Sequence, residues 1–267
     1  MNLGLFGRVA FIAGASSGLG LATAKRLHDE GAHVAVCSRS KARIEAAAAE
    51  IGGRTDGQVL PLVCDVTDEA QIEAALAQTV DHFGRLHVLI TNAGGPPSGF
   101  VGDFSADDWR RAIELNLMST INLCRHALPH LREAAAADQH ASVLMITSIS
   151  AKQPVPNLYL SNTARAGVQG FAKSLSEEVG SEGITVNTIL PGYTRTERLS
   201  ELAEATHARS GEPIPDIEAG WAAATALKRL GEPDEFAAAA AFLVSKPAAF
   251  ITGIGLPVDG GRTKGLL

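Results

Sequence analysis

Glycines spaced to hold a phosphate group follow an apolar segment near the start of the chain. The segment Gly14-Ala15-Ser16-Ser17-Gly18-Leu19-Gly20 comes directly after Arg8-Val9-Ala10-Phe11-Ile12-Ala13 and precedes a helical pattern. Glycines let the backbone turn tightly and approach a pyrophosphate, while the helix N-terminus offers unpaired amides and the positive end of its dipole. This placement predicts a dinucleotide site over the turn; an ordinary strand–helix turn is the alternative.

The end of the second predicted strand bears on which dinucleotide is bound. It reads Cys37-Ser38-Arg39-Ser40, with no acid and one arginine. An acid at this point bonds the adenosine ribose hydroxyls and repels a 2′-phosphate, whereas a guanidinium can bind a phosphate through two donors. We therefore expect Ser38 and Arg39 to favour NADP(H), with NAD(H) also possible. A solvated surface arginine is the alternative.

The elements that must position these groups alternate between short apolar segments and longer amphipathic ones. Strands are predicted at residues 8–13, 33–38, 58–64, 86–91, 142–147, 184–190 and 255–258. Helices are predicted at residues 19–30, 41–51, 67–82 with Thr67 as N-cap, 106–136 with an interruption near Pro129, 162–180 and 234–244. This alternation is typical of an α/β Rossmann fold, a doubly wound parallel sheet of about seven strands covered by helices on both faces. Residues 1–267 are expected to form a single domain.

The least regular part of the chain is residues 194–227. It contains Gly211-Glu212-Pro213-Ile214-Pro215 and no clear period. Its length and polar residues are typical of a mobile cover on the substrate side of a cleft, or of a surface insertion.

Composition excludes several other classes of function. The net charge of −6 and pI near 5.8 argue against nucleic acid or an anionic membrane surface as the main partner. The three cysteines lie far apart without metal-ligand spacing, so no metal site is predicted, and their number suits a reducing cytoplasm. The first residues are too polar for a signal peptide, and no apolar stretch is long enough to span a membrane.

The order of motifs along the chain resembles the short-chain dehydrogenase/reductase family, and 3-oxoacyl-acyl-carrier-protein reductases in particular. The glycine spacing is that of the family rather than of the larger dinucleotide dehydrogenases. Further matches follow in order: Asp65-Val66, Asn92-Ala93-Gly94, Asn116, Ser148, Pro191-Gly192 with Thr194 and Thr196, Gly231-Glu232-Pro233, and Val258-Asp259-Gly260-Gly261. The resemblance covers essentially the whole chain.

The resemblance implies an enzyme that interconverts a carbonyl and an alcohol by hydride transfer. It implies a small-molecule substrate, with an acyl thioester as one option, and a homo-oligomer, either tetramer or dimer. Ser148 would polarise the carbonyl, Asn116 would complete a proton relay, and Asp65 would contact the adenine. The remaining implied cofactor contacts are Gly14, Ser16, Ser17, Gly18, Leu19, Gly20, Val66, Asn92, Ala93, Gly94, Arg165, Pro191, Gly192, Thr194 and Thr196.

The chain departs from the family at its Tyr-x3-Lys motif. The family's spacing, counted from Ser148, places Ser161 at the tyrosine position and Arg165 at the lysine position. A serine hydroxyl is a much poorer acid than a phenol, and arginine stays protonated, so it is not a base. Arg165 could still hold the ribose hydroxyls and stabilise a developing alkoxide. We therefore expect cofactor binding to survive and proton transfer to be atypical.

Several interpretations of this substitution stay open. Tyr159 could swing into the vacated space as an alternative proton donor, or water could deliver the proton. Ser161 could instead cap the helix that follows it. The chain is accordingly either an NADP(H)-dependent oxidoreductase or a dinucleotide-binding protein with weak or lost catalysis, acting as a sensor or an assembly partner.

Overall fold

The computed structural model describes residues 2–53, 55–138 and 140–266. Seven parallel strands form one sheet in the order β3-β2-β1-β4-β5-β6-β7. The strands are β1 (Val9–Ile12), β2 (His33–Ser38), β3 (Val59–Val63), β4 (Val88–Thr91), β5 (Ala141–Ile146), β6 (Ile184–Pro191) and β7 (Gly255–Val258). The predicted Rossmann fold with helices on both faces is confirmed. The strand order reverses between β1 and β4, and ligands of such sheets bind at the carboxyl ends beside that reversal.

Helices cover both faces of the sheet and create two separate apolar layers. The helices are α1 (Gly18–Asp29), α2 (Lys41–Ile51), α3 (Glu69–Phe83), α4 (Ala106–Ile113), α5 (Ser119–Asp138), α6 (Tyr159–Val179), α7 (Glu197–Ser210), α8 (Ile214–Ala223) and α9 (Pro233–Leu243). Side chains of α1, α2 and α9 pack with Ile12 and Ile90 in one layer, and those of α3, α5 and α6 pack with Phe11 and Leu89 in the other. Alternate residues of a strand face opposite sides, so β1 to β6 contribute to both layers, while β7 contributes to one.

Two predicted features of the helices were wrong. Asp68, not Thr67, caps α3, because its carboxylate accepts hydrogen bonds from the amides of Ala70 and Gln71 while the Thr67 hydroxyl donates to Asp65. The region 106–136 is not interrupted at Pro129, which lies within α5.

The interruption falls instead at a π-helical turn, Glu114–Met118, between α4 and α5. Side chains bind the carbonyls of this widened turn: the hydroxyl of Ser119 donates to Leu115, and that of Thr120 donates to Asn116.

Two other segments also differ from the predictions. The helix expected at 162–180 begins at Tyr159, so Ser161 is its third residue and does not cap it. Residues 194–227, expected to be irregular, contain the helices α7 and α8, and their polar composition matches the exposed faces of these helices. The mobility of this segment stays a prediction.

The packing of α1 against the end of β1 leaves no room for a side chain at position 20. A Cβ atom on Gly20 would clash with the carbonyl oxygen of Gly14 and lie 2.9 Å from Nδ2 of Asn92, which itself donates to that carbonyl at 3.0 Å. Gly14 also has a φ of +59°, a conformation that L side chains rarely adopt. The third glycine of the turn is therefore required by packing.

We expect Gly20→Ala to lower the free energy of unfolding by about 1–3 kcal/mol, because the added methyl group must displace the Gly14 backbone. Gly170→Ala is the matched control, since Gly170 lies exposed within α6 and a methyl group there would have open space for 4 Å around it. It should raise stability by about 0.5–1 kcal/mol through helix propensity. Urea denaturation measures both, and equal effects of the two changes would contradict the packing constraint.

Candidate active site

A cavity of about 520 Å³ opens at the carboxyl ends of the strands, next to the reversal of strand order. Its size is that of a small-molecule or cofactor site. The predicted site residues that line it are Gly14, Ser16, Ser17, Gly18, Leu19, Ser38, Arg39, Val66, Asn92, Ala93, Gly94, Ser148, Ser161, Arg165, Pro191, Gly192, Thr194 and Thr196. Gly20, Asp65, Asn116 and Tyr159 do not line it.

The glycine turn forms one wall of this cavity and fits a pyrophosphate. Ser17 is the N-cap of α1, and its side chain forms no capping hydrogen bond, so it does not satisfy the free amides of the first turn. Those amides and the helix dipole favour an anion. Thr196, on the opposite wall of the cavity, lies close to this turn, because a Cβ on Gly18 would be 3.7 Å from its side chain. The narrow glycine-lined space is therefore shaped for a phosphate chain.

The adenosine end of the cavity carries two arginines. Arg39 is exposed at the end of β2, and Arg43 lies on the first turn of α2. Arg43 donates to Glu197 at 2.7 Å, so it reaches from α2 to the start of α7. Sequence reasoning missed Arg43, although its spacing of four residues from Arg39 could have indicated it. The carboxylate of Asp65 accepts from the amide and hydroxyl of Thr67 and turns toward its own loop.

The end of the cavity next to β5 and α6 contains a short series of hydroxyl groups. Ser148 follows β5 and caps a 3-10 turn, with its Oγ accepting from the amide of Ser150 at 3.1 Å. The Oγ atoms of Ser150 and Ser161 are 3.3 Å apart. Ser161 is thus buried and hydrogen-bonded to a neighbour that sequence reasoning did not single out. Tyr159 lies at the first residue of α6 with 44% of its surface exposed.

Arg165 is a buried cation at the floor of the site. Its Nη1 donates to the carbonyl of Ile146 at 3.0 Å, and its Nη2 donates to that of Ala93 at 3.3 Å. It therefore bridges the ends of β5 and β4. Burial, and then the nearby charge of Arg198, lower the pKa of Arg165 to about 10. Within the described ranges no carboxylate pairs with it, and buried unpaired charges are concentrated at functional sites.

Asn116 lies behind this site, in the π-helical turn. Its Nδ2 donates to the carbonyl of Ala112 at 3.2 Å, while its buried Oδ1 has no partner among the described atoms. An unsatisfied buried acceptor costs free energy, and π turns occur frequently at functional sites. The Oδ1 atom of Asn116 is therefore a buried acceptor behind the cavity, without a partner in the described ranges.

Contacts from α7 and α8 complete the cavity. Arg198 donates to the carbonyl of Pro96 at 2.6 Å, and its guanidinium lies so close to Gly95 that a Cβ there would be 3.0 Å from Nε. Tyr193, which lines the cavity, stacks on Trp221 of α8 with ring centroids 4.9 Å apart. These contacts join residues far apart in sequence, so no local pattern predicted them.

The parallel sheet, the glycine turn and the cavity at the strand reversal define a Rossmann-type dinucleotide-binding domain. A family model described as enoyl-(acyl carrier protein) reductase matches residues 14–263. L-fucose dehydrogenase of Bos taurus is 35% identical over 260 residues, covering 97% of this chain and 90% of that protein. The 3-oxoacyl-acyl-carrier-protein reductase of Escherichia coli (strain K12) is 33% identical over 255 residues, covering 96% and 97%.

Solved structures agree with these relatives. The L-sorbose reductase from Gluconobacter frateurii complexed with NADPH and L-sorbose superposes with a TM-score of 0.93 at 30% identity, covering 100% of both chains. An actinorhodin polyketide ketoreductase variant with NADPH gives a TM-score of 0.90 at 29% identity, covering 96% of this chain and 97% of that one. The chain belongs to the short-chain dehydrogenase/reductase family, a family of oxidoreductases, which confirms the predicted resemblance.

The described residues contain neither a candidate membrane span nor a candidate metal site. No helix among them is long and apolar enough to cross a membrane. In the same ranges, no three His, Cys, Asp or Glu side chains are grouped so that they could hold a metal ion.

We expect Arg165→Gln to leave the free energy of unfolding at pH 7 unchanged or to raise it by up to about 2 kcal/mol. A folded-state pKa of about 10, below the usual 12.5, means that the buried charge destabilises the fold by about 3 kcal/mol. This cost is constant below pH 10 and declines only as the pH rises from about 10 toward 12.5, so it is fully present at pH 7.

Urea denaturation at pH 7 measures this effect, with Arg195→Gln as the control. Arg195 is an exposed arginine paired with Glu232 at 3.1 Å, and its loss should change stability by less than about 1 kcal/mol. A loss of more than about 1 kcal/mol in Arg165→Gln would contradict the expectation, because the two carbonyl contacts would then outweigh the burial of the charge.

Proposed function

We propose that this protein is an NADP(H)-dependent oxidoreductase that interconverts a carbonyl and an alcohol by hydride transfer. The observation that carries the proposal is the cavity itself, which joins a glycine turn shaped for a pyrophosphate to Ser148, after β5, and Ser161, on the first turn of α6. The similar L-sorbose reductase and polyketide ketoreductase were solved with NADPH, which supports the same class of cofactor here.

The residues at the adenosine end account for the choice of NADP(H). Arg39 is free of any ion pair in the described part of the chain, and Arg43 is held beside the cavity by Glu197. No acid stands at the end of β2 to repel a 2′-phosphate. The two guanidinium groups would hold that phosphate, and the amides of α1 would hold the pyrophosphate.

The other end of the cavity holds the groups that would orient the substrate. When bound, the reduced nicotinamide supplies a hydride. The hydroxyl of Ser148 would donate to the carbonyl oxygen of the substrate, which withdraws electrons from the carbon that the hydride attacks. The fixed charge of Arg165 would stabilise negative charge that develops on that oxygen. Its bonds to the ends of β4 and β5 prevent it from moving away.

A second candidate function has its own supporting observation. Two donors of Arg165 are engaged by backbone carbonyls, and Ser161, whose hydroxyl lies 3.3 Å from that of Ser150, is a much poorer acid than the family's tyrosine. The same site would then bind the dinucleotide with weak or no turnover, and the protein would act as a sensor or an assembly partner. A cytoplasmic location and a homo-oligomeric state stay predictions.

One experiment separates the two functions. NADPH binding is measured by its fluorescence, and NADPH oxidation is then followed with a panel of ketones, quinones, ketoses and 3-oxoacyl thioesters. Binding accompanied by turnover of at least one carbonyl supports the oxidoreductase. Tight binding without turnover of any of them supports the binding protein, and failure to bind NADPH contradicts both.

We expect Arg39→Ala to weaken NADPH binding by about 10- to 100-fold, because a charge-assisted hydrogen bond to a phosphate contributes about 1.5–3 kcal/mol. NADH affinity should hardly change, since that cofactor has no 2′-phosphate. Arg26→Ala on α1, an exposed arginine paired with Glu30 away from the cavity, is the control. Equal losses of NADH and NADPH binding in Arg39→Ala would show that Arg39 does not recognise the phosphate.

A further inference from the structure

Carbonyl reduction needs a proton as well as a hydride, and the residues at the family's usual position do not supply it readily. Ser161 is a poor acid and Arg165 a fixed cation. The chain contains two tyrosines, Tyr159 and Tyr193. Tyr159 is exposed and outside the cavity, whereas Tyr193 is largely buried and lines it. Tyr193 is therefore the phenol that can meet a substrate.

The register of the sheet relates the ends of the two strands that Ser148 and Tyr193 follow. Ile146 of β5 pairs with Ile189 of β6, so Ser148 lies level with Pro191 at the ends of neighbouring strands. Tyr193 follows two residues after Pro191, beyond the end of β6. Tyr193 and Ser148 both line the same cavity.

The position of Tyr193 is fixed on three sides. Its carbonyl accepts from the amide of Gly231 at 2.9 Å, and the preceding Gly192 donates to Val258 at 3.0 Å. Its ring stacks on Trp221 with an interplanar angle of 8°. A ring held in this way loses little further freedom when a substrate binds, which is the condition for an efficient proton donor.

A cation also lies close to this phenol. The guanidinium of Arg262, in the turn after β7, interacts with the hydroxyl of Tyr193. Burial raises the pKa of Tyr193, while Arg262 acts in the opposite direction by favouring the phenolate. In the described ranges, Arg262 is the charged group that acts on this hydroxyl. The phenol is thus protonated at neutral pH, and a counter-charge is in place for the phenolate formed when it gives up its proton.

Other acidic groups that line the cavity are engaged or distant. Glu197 pairs with Arg43, and Glu201 pairs with Arg198 at 3.1 Å. Cys64 lies at the adenosine end, where its thiol is hydrogen-bonded to Cys37. None of these groups combines a free proton with a place near Ser148.

We infer that Tyr193, supported by Arg262, is the proton donor in carbonyl reduction, taking the part that the family's Tyr-x3-Lys pair plays elsewhere; the inference rests on the proposed function. The hydride and its electron pair form the new C–H bond, and the carbonyl π electrons move to oxygen. That oxygen takes the proton from Tyr193 Oη, forming the alcohol and leaving a phenolate. Arg262 stabilises the phenolate until solvent returns a proton.

The kinetic test uses the carbonyl substrate that the wild-type protein reduces with NADPH. Tyr193→Phe keeps the ring and its stacking on Trp221, so NADPH affinity should stay within about twofold, while kcat should fall by about 100-fold or more. Arg262→Met should lower kcat by about 10-fold or more, and Arg262→Lys, which keeps a cation, should restore much of it. An unchanged kcat in Tyr193→Phe overturns the inference but leaves the proposed reductase intact.

Two further kinetic outcomes also count against the inference. A large loss in Tyr159→Phe with little loss in Tyr193→Phe would transfer the role to Tyr159. Absence of turnover by the wild type would overturn the proposed function, and with it the inference.

A spectroscopic test reads the phenol without turnover. Tyr159→Phe leaves Tyr193 as the single tyrosine, so its ionisation can be followed at about 295 nm as the pH is raised. We expect its pKa to lie above that of a free phenol, and to rise further in the double variant Tyr159→Phe, Arg262→Met, because the stabilising cation is gone. A pKa that does not respond to the loss of Arg262 would overturn the role given to that residue.

Discussion

The close approach of Gly20 to the Gly14 carbonyl is the constraint on which the rest of the site depends. Three elements meet there, because the Asn92 side chain from the end of β4 donates to the same carbonyl. A side chain at position 20 would push α1 away from β1 and would break the contact with β4. The first turn of α1 would then no longer point its free amides at the cavity. The phosphate site and the floor of the active site are therefore built from one packing contact.

At Gly20 the same contact serves both the packing and the site, whereas the buried charge of Arg165 lowers the stability of the fold. Its side chain is buried against the carbonyls of Ile146 and Ala93, and its charge has no described carboxylate partner. We expect that folding does not require this charge, since two neutral donors would serve the same carbonyls. A charge kept at a cost to stability is expected where a ligand or a reaction uses it. This cost is consistent with the role in the cavity that we propose for Arg165.

The sheet could be predicted from the sequence because its signals are local. Apolar strands alternate with amphipathic helices, and the final strand, Gly255–Val258, was predicted with the bounds it has in the structure. Local signals failed where two neighbours competed, as when Asp68 rather than Thr67 capped α3. Local signals also failed at the π-helical turn Glu114–Met118, where side chains donate hydrogen bonds to the backbone carbonyls of the turn. They failed again at α7 and α8, because the apolar faces of these helices are short.

The candidate site also has one half that local sequence signals predict and one half that they do not. Its cofactor half is made of contiguous motifs at strand ends, so the sequence indicated nearly all the residues that line it. The half that we infer to transfer the proton depends on contacts between distant segments: Tyr193 follows β6, Trp221 lies on α8, and Arg262 follows β7. No spacing rule joins these three residues. A motif search that finds the usual tyrosine missing would conclude that acid–base chemistry is lost. The folded chain brings a different phenol to the same cavity, with a cation close to it, so the loss of a motif need not be the loss of the chemical group.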